Sequence, residues 1–173
     1  MSDPTLQFLQ SVAEQIASLK QRVSDLEGIS SPGYVTYNWS PTLVGSTIPG
    51  TYVYAATTGG RATRIGNTVF FRGRLTLTSV SIAPTGVLSI FGLPIAAATL
   101  TLGFVGSIHF SFYSLFNLGG NTFSELGAVI ASGATSADIL KSKNDGTAGV
   151  NVTGAGAAVA AGTDLMFTGQ YQV

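Results

Sequence analysis

Few residues in this chain could do chemistry. One histidine, His109, stands in the alternating run Ile108-His109-Phe110-Ser111-Phe112. No Ser or acid can be set beside it from sequence, so a structural or interface histidine is expected rather than a catalytic one. The chain has no cysteine, which excludes a disulfide framework, a thiolate nucleophile and a Cys-type zinc site. A lone imidazole also falls short of the histidine sets used by most catalytic zinc or copper sites. A glycosidase-type carboxylate pair would have to come from Glu125, Asp138, Asp145 and Asp164, and Asp145 precedes Gly146 in a sequence that favours a turn. The expectation is a protein that is not an enzyme and holds no cofactor or metal.

The main concentration of charge in the second part of the chain is Arg61, Arg64, Arg72 and Arg74, flanking a predicted hairpin turn at Gly66-Asn67. Arg72 and Arg74 are two apart and so share a strand face. Guanidinium forks match carboxylate and phosphate groups, which makes these four arginines the candidate ligand-binding residues, for an acidic sugar or a phosphate. The simpler reading is a solvated face, or pairing between subunits with the scarce acids. Tyr34, Tyr37 and Trp39, together with Phe110, Phe112, Tyr113 and Phe116, could stack on sugar rings, but rings at strand spacing are core residues first. Asn38-Trp39-Ser40 and Asn151-Val152-Thr153 fit the N-glycosylation pattern. They read as chance matches, because Met1-Ser2-Asp3-Pro4 shows no basic region leading into an apolar run and hence no secretory signal.

These residues must be held by elements built from an uncommon composition. The 173 residues are 9% charged, against about a quarter in an average soluble chain. Gly, at 22 residues, along with Ser, Thr and Ala, replaces the missing charge. Aromatics at 10% and a net charge of zero exclude a disordered chain. The same balance excludes the basic excess of a nucleic-acid-binding protein. No Lys, Arg, Asp or Glu falls between Arg74 and Glu125, but Pro84, Pro94 and several Gly interrupt this stretch. Strands buried on both faces are expected there rather than a membrane span.

Leu9, Val12, Ile16, Leu19, Val23 and Leu26 recur at the alternating spacing of three and four that marks a heptad seam. Asp3-Pro4 supplies a helix start and Gly28 a stop, giving about 24 residues and roughly 36 Å of helix. Arg22-Val23-Ser24-Asp25-Leu26-Glu27 resembles the short trimerisation motif of parallel three-stranded coiled coils. In that motif the Arg pairs with a neighbour's Glu while its stem covers the core. Leu9, Val12, Ile16, Leu19, Arg22, Val23, Leu26 and Glu27 are therefore the candidate oligomerisation residues. A trimer is expected, although β-branched a residues with Leu at d favour dimers, and an amphipathic helix lying on its own domain stays open. Burying six such side chains gains about 1.5 to 3 kcal/mol each, against about 1 to 2 kcal/mol of backbone entropy per ordered residue. The stalk is marginal alone, so the rest of the chain should associate too. Asp3, Glu14, Lys20, Arg22, Asp25 and Glu27 all fall before Gly28, and this shift in charge density divides the chain into a stalk over 1–28, a linker over 29–33 and a body over 34–173.

In the body the apolar period changes to two. Tyr34 to Trp39, Thr51 to Thr57, Thr68 to Val80, Val87 to Phe91, Leu100 to Phe112, Ala128 to Ala131, Val150 to Val152 and Leu165 to Tyr171 read as strands. Gly59-Gly60, Gly66-Asn67, Pro84-Thr85-Gly86, Gly119-Gly120-Asn121 and Asn144-Asp145-Gly146 read as the turns between them. The predicted fold class is mainly β: a short α-helical coiled-coil stalk followed by an antiparallel β-sandwich or jelly-roll-like body, homotrimeric.

Gly50 to Thr78, with Ala62-Thr63-Arg64-Ile65-Gly66-Asn67-Thr68-Val69 at its centre, and then Ser89-Ile90-Phe91-Gly92-Leu93-Pro94, resemble a β-domain of bacteriophage virion proteins. It recurs in tail fibres and in related fibre or head-surface proteins; Ala62 stands where that family often has an aromatic residue. The resemblance implies a non-enzymatic homotrimer located in the virion: a short tail fibre or fibre tip. Its N-terminal segment would be gripped by other virion proteins, and its β-body would face a host surface polysaccharide. The alternative is a trimeric capsid decoration or head-fibre protein binding capsid subunits. Neither reading involves nucleic acid or membrane insertion. A cellular trimeric lectin is disfavoured by the missing secretory signal.

Overall fold

The computed structural model describes residues 8, 12–21, 34–101, 103–117, 123–143, 149–153 and 159–173. The chain divides into two compact units, Met1–Tyr34 and Val35–Val173. In the first, residues 12–21 are helical, and the stripe members Ile16 and Leu19 are 49% and 57% exposed. Leu9, Arg22, Val23, Leu26 and Glu27 lie outside the described residues, as do the predicted helix start at Asp3-Pro4, the stop at Gly28 and the linker over 29–33. So do the predicted turns at Gly119-Gly120-Asn121 and Asn144-Asp145-Gly146.

The second unit is built from eleven strands: β1 (Val35–Trp39), β2 (Thr42–Gly45), β3 (Thr51–Tyr54), β4 (Gly59–Ile65), β5 (Thr68–Ile82), β6 (Leu88–Phe91), β7 (Phe104–Phe116), β8 (Phe123–Ala131), β9 (Ser136–Lys143), β10 (Val150–Asn151) and β11 (Val159–Gln172). Period-two patterning drives them. Along β5, Val69, Phe71, Leu75 and Leu77 are buried while Phe70, Arg72 and Thr78 are exposed, the alternation of a strand with one face on a core. β4 and β5 are joined by the two-residue turn Gly66-Asn67, with Ile65 opposite Thr68 and Gly66 at φ 59°. A positive φ at the first central residue is the geometry that a tight hairpin asks of glycine.

All pairings are antiparallel and follow one path, β1-β4-β5-β11-β7-β8-β9-β6-β2, with β3 also on β5 and β10 also on β9. The two ends of this path are consecutive in sequence, because only Ser40 and Pro41 separate β1 from β2. A flat sheet would hold them about 38 Å apart at 4.8 Å per strand, whereas three Cα steps span at most about 11 Å. The sheet must therefore curl, bringing the end of β1 near the start of β2. The Leu43 N–H donates to the Tyr54 hydroxyl at 3.0 Å, tying β2 to β3. The expected two-sheet sandwich is thus one antiparallel sheet curled into a half-barrel around its core. Register shifts within β5, β7, β8 and β11 pairings supply local bends.

β2, β4 and β9 were not among the predicted strands. β4 opens on Gly59-Gly60, which reads as a turn; in the fold these glycines are strand residues. Trp39, Gly60, Gly73, Phe167 and Phe110 form one row across five strands on the inner face. The Trp39 indole lies over the two glycines and meets Phe71 and Phe167 edge-on at 5.7 and 6.1 Å. A Cβ on Gly60 would strike the indole nitrogen, and one on Gly73 would lie 2.6 Å from Phe167. Phe110 then meets Phe167 at 5.8 Å. The large rings at both ends of the row need the small residues between them, and that pairing is invisible along the chain. β9 alternates buried Ala137 and Ile139 with Asp138, Leu140 and Lys141, which dilutes its apolar signal.

The inner side of the curl is filled by Leu43, Leu75, Leu77, Leu88, Ile90 and their neighbours, all at 1% exposure or less. Tyr171 brings its hydroxyl into this core, where it donates to the Ile95 carbonyl at 2.9 Å. Burial pushes its pKa up to about 12, partly offset by the Ile95 N–H, which donates to the same hydroxyl at 3.4 Å.

Candidate functional site

The outer face of the sheet collects the charged residues. Arg61 on β4 stands directly opposite Arg72 on β5; Arg72 is opposite Thr168 on β11, and Thr168 opposite His109 on β7. Arg61, Arg72, Thr168 and His109 are all exposed. Arg74 lies two residues further along β5 on the same face. Arg64 does not join this group: it is three residues from Arg61, so its side chain leaves β4 on the opposite face. There its Nε donates to the Gly66 carbonyl of the hairpin turn at 2.7 Å.

Arg74 is committed to a partner. Its Nε donates to one Asp164 oxygen at 3.0 Å and its terminal nitrogen to the other at 2.6 Å, the bidentate arrangement of guanidinium and carboxylate. Thr76 adds a hydrogen bond from its hydroxyl to Asp164 at 2.9 Å. Arg74 and Thr76 together hold the Asp164 carboxyl below its ordinary range, against the opposing effect of burial. Nothing in the sequence announces this pair, whose members are 90 residues apart and meet only because β5 and β11 are neighbours.

Around the arginines lies a depression of about 390 Å³, lined by Arg61, Arg72, Arg74, Ser111, Met166 and Thr168 and by the backbone of Gly59, Gly60 and Gly73. Gly59 faces Arg74 across the β4–β5 ladder, and the space its side chain would occupy is empty to 4 Å. A second depression, of about 470 Å³, opens where the β7–β8 ladder ends at His109 and Gly127, and its lining includes Tyr113, Glu125 and Ser142.

The other residues singled out from sequence are dispersed. Trp39, Phe110 and Phe116 are core; Tyr37 packs against the core, while Tyr34, Phe112 and Tyr113 are exposed. Asp138 accepts from the Ser89 hydroxyl at 2.7 Å and Glu125 from Ser142 at 3.3 Å. Glu125 is paired with Ser142, four residues along β9 from Asp138, which separates their Cα atoms by about 14 Å at 3.3 Å per residue. Asp164 is two strands from Glu125 and three from Asp138, about 10 Å or more laterally. Asp145 lies outside the described residues. Among the described residues no three His, Asp or Glu are grouped to hold a metal ion, and no helix is long and apolar enough to cross a membrane.

This fold has a solved counterpart. The chain is similar to the Dettilon tailspike protein (gp208), with a TM-score of 0.60 and 13% sequence identity over 80% of this chain and 24% of that one. The likeness is one of fold, and this chain spans about a quarter of the tailspike's length. No protein-family profile and no curated protein matches the sequence.

Proposed function

We propose that the protein is a non-enzymatic structural component of a phage virion, a short homotrimeric tail fibre or fibre tip. The observation that carries this reading is the fold held in common with a tailspike over 80% of the chain, joined to the resemblance of the Gly50–Thr78 and Ser89–Pro94 segments to virion fibre proteins. In this role the N-terminal helix forms a three-stranded coiled coil through Leu9, Val12, Ile16, Leu19, Val23 and Leu26, with Arg22 and Glu27 pairing between chains. Other virion proteins grip that segment. Association of the β-bodies would cover side chains that one chain leaves in water, such as Val53, Phe104 and Leu115 at 58%, 64% and 64% exposure; large apolar surface of this kind marks an interaction site when it is contiguous. The body's outer face is turned to a host surface polysaccharide.

Competition tests the attachment role. The purified full chain, added in excess, is expected to slow adsorption of the phage that carries it to its host cells. Unchanged adsorption at saturating protein contradicts that role.

A further inference from the structure

We infer that Arg61 and Arg72 anchor the acid group of an acidic saccharide, a carboxylate or a phosphate, in the outer-face depression between β4 and β11. This rests on the polysaccharide-facing role proposed above and names the chemistry of its ligand. Of the four arginines noted in the sequence, two are otherwise engaged: Arg74 with Asp164, and Arg64 with the hairpin turn on the other face. Arg61 and Arg72 remain, and they are directly opposite each other on paired strands. Like charges in that position repel and weaken a sheet, and neither arginine forms an ion pair with a described residue. A bound anion removes the repulsion and satisfies two guanidinium forks together.

The surroundings fit a sugar acid better than a bare ion. The depression of about 390 Å³ offers the Thr168 hydroxyl, the Ser111 hydroxyl oxygen, whose proton goes to the Met166 carbonyl at 3.3 Å, and the Met166 side chain as an apolar contact, with the space over Gly59 left open. The row continues past Arg72 through Thr168 to exposed His109, so further sugar units can lie across the strands from the anchored one.

The test is titration calorimetry of the full chain with trigalacturonate, monogalacturonate, glucose 6-phosphate and uncharged maltotriose. The inference predicts that trigalacturonate or glucose 6-phosphate binds while maltotriose does not; which of the two binds separates carboxylate from phosphate recognition. Arg61→Gln and Arg72→Gln should each weaken the bound acid about tenfold, with Arg64→Gln unchanged. Melting temperatures of R61Q and R72Q should equal or exceed that of the unmodified chain, since each removes a repulsion, so lost binding would not reflect lost folding. The inference is overturned by no binding of either acid, by binding that survives both substitutions, or by monogalacturonate binding as tightly as the trimer, which means an adventitious ion only. A fall in assembly mass for R61Q and R72Q also overturns it, because the two arginines would then be pairing with a neighbouring chain. Failure of all probes alongside slowed adsorption in the competition experiment would refute the anion site and leave the attachment role standing.

Discussion

At Asp164, two hydrogen bonds from Arg74 and one from Thr76 favour the charged carboxylate, and burial opposes them without prevailing. Its folded pKa therefore lies below the ordinary value of 3.8. A carboxyl with a depressed folded pKa contributes its stabilisation in full above the unfolded value and loses it as pH falls through the folded one. Asp164→Asn should melt about 2 to 4 °C lower than the unmodified chain near neutral pH. The gap should close as the pH drops below the usual carboxylate range. Thermal melts from pH 7 to pH 2 check this, and a gap that does not change with pH would mean that charge is not what the Asn variant lost. The same ion pair places Arg74 beside Arg61 and Arg72 as a neighbour whose charge is already matched, which leaves the directly opposed pair as the uncompensated feature of this face.

Local signals made some elements readable and left others hidden. Alternation along β5, the Gly66-Asn67 turn and the β-branched and aromatic content of β7 and β11 are properties of short windows, and they located most of the strands. β4 was hidden because Gly59-Gly60 normally punctuates a turn, whereas here Gly60 makes room for Trp39 from a different strand. Of the three arginines that line the outer depression, sequence places only Arg72 and Arg74, two apart on one strand, on a common face. The partner that removes Arg74 and the strand that brings Arg61 opposite Arg72 are both set by long-range pairing. In the N-terminal unit the described helical residues 12–21 leave Ile16 and Leu19 in water, as a single chain of a coiled coil would. Each such side chain gains about 1.5 to 3 kcal/mol when buried, so Ile16→Asp with Leu19→Asp should abolish stalk association. In sedimentation equilibrium the unmodified 17.7 kDa chain should behave as a trimer, and the double variant should show a lower mass or a weaker assembly. Unaltered association of the double variant would rule out a coiled-coil seam at these positions.

For the molecule as a whole, the sheet's path and the two-residue link between its first and last strands require a curled body, and 80% of the chain is similar in fold to part of a tailspike. Low charge is a property of this body: between Arg74 and Glu125 the chain runs through β6 and β7 without one ionisable Lys, Arg, Asp or Glu. A subunit that buries more of itself in an assembly can lack those charges, and large exposed residues such as Phe104 and Leu115 are the sites where such burial would occur. The claim that joins these observations is that the protein is a fibre on a virion. Immunogold labelling of intact particles with antibody to the purified chain tests it most directly. Label at the tail tip is the predicted result. Label spread over the capsid would replace the tail-fibre reading with that of a decoration protein, and unlabelled particles would contradict the virion assignment itself.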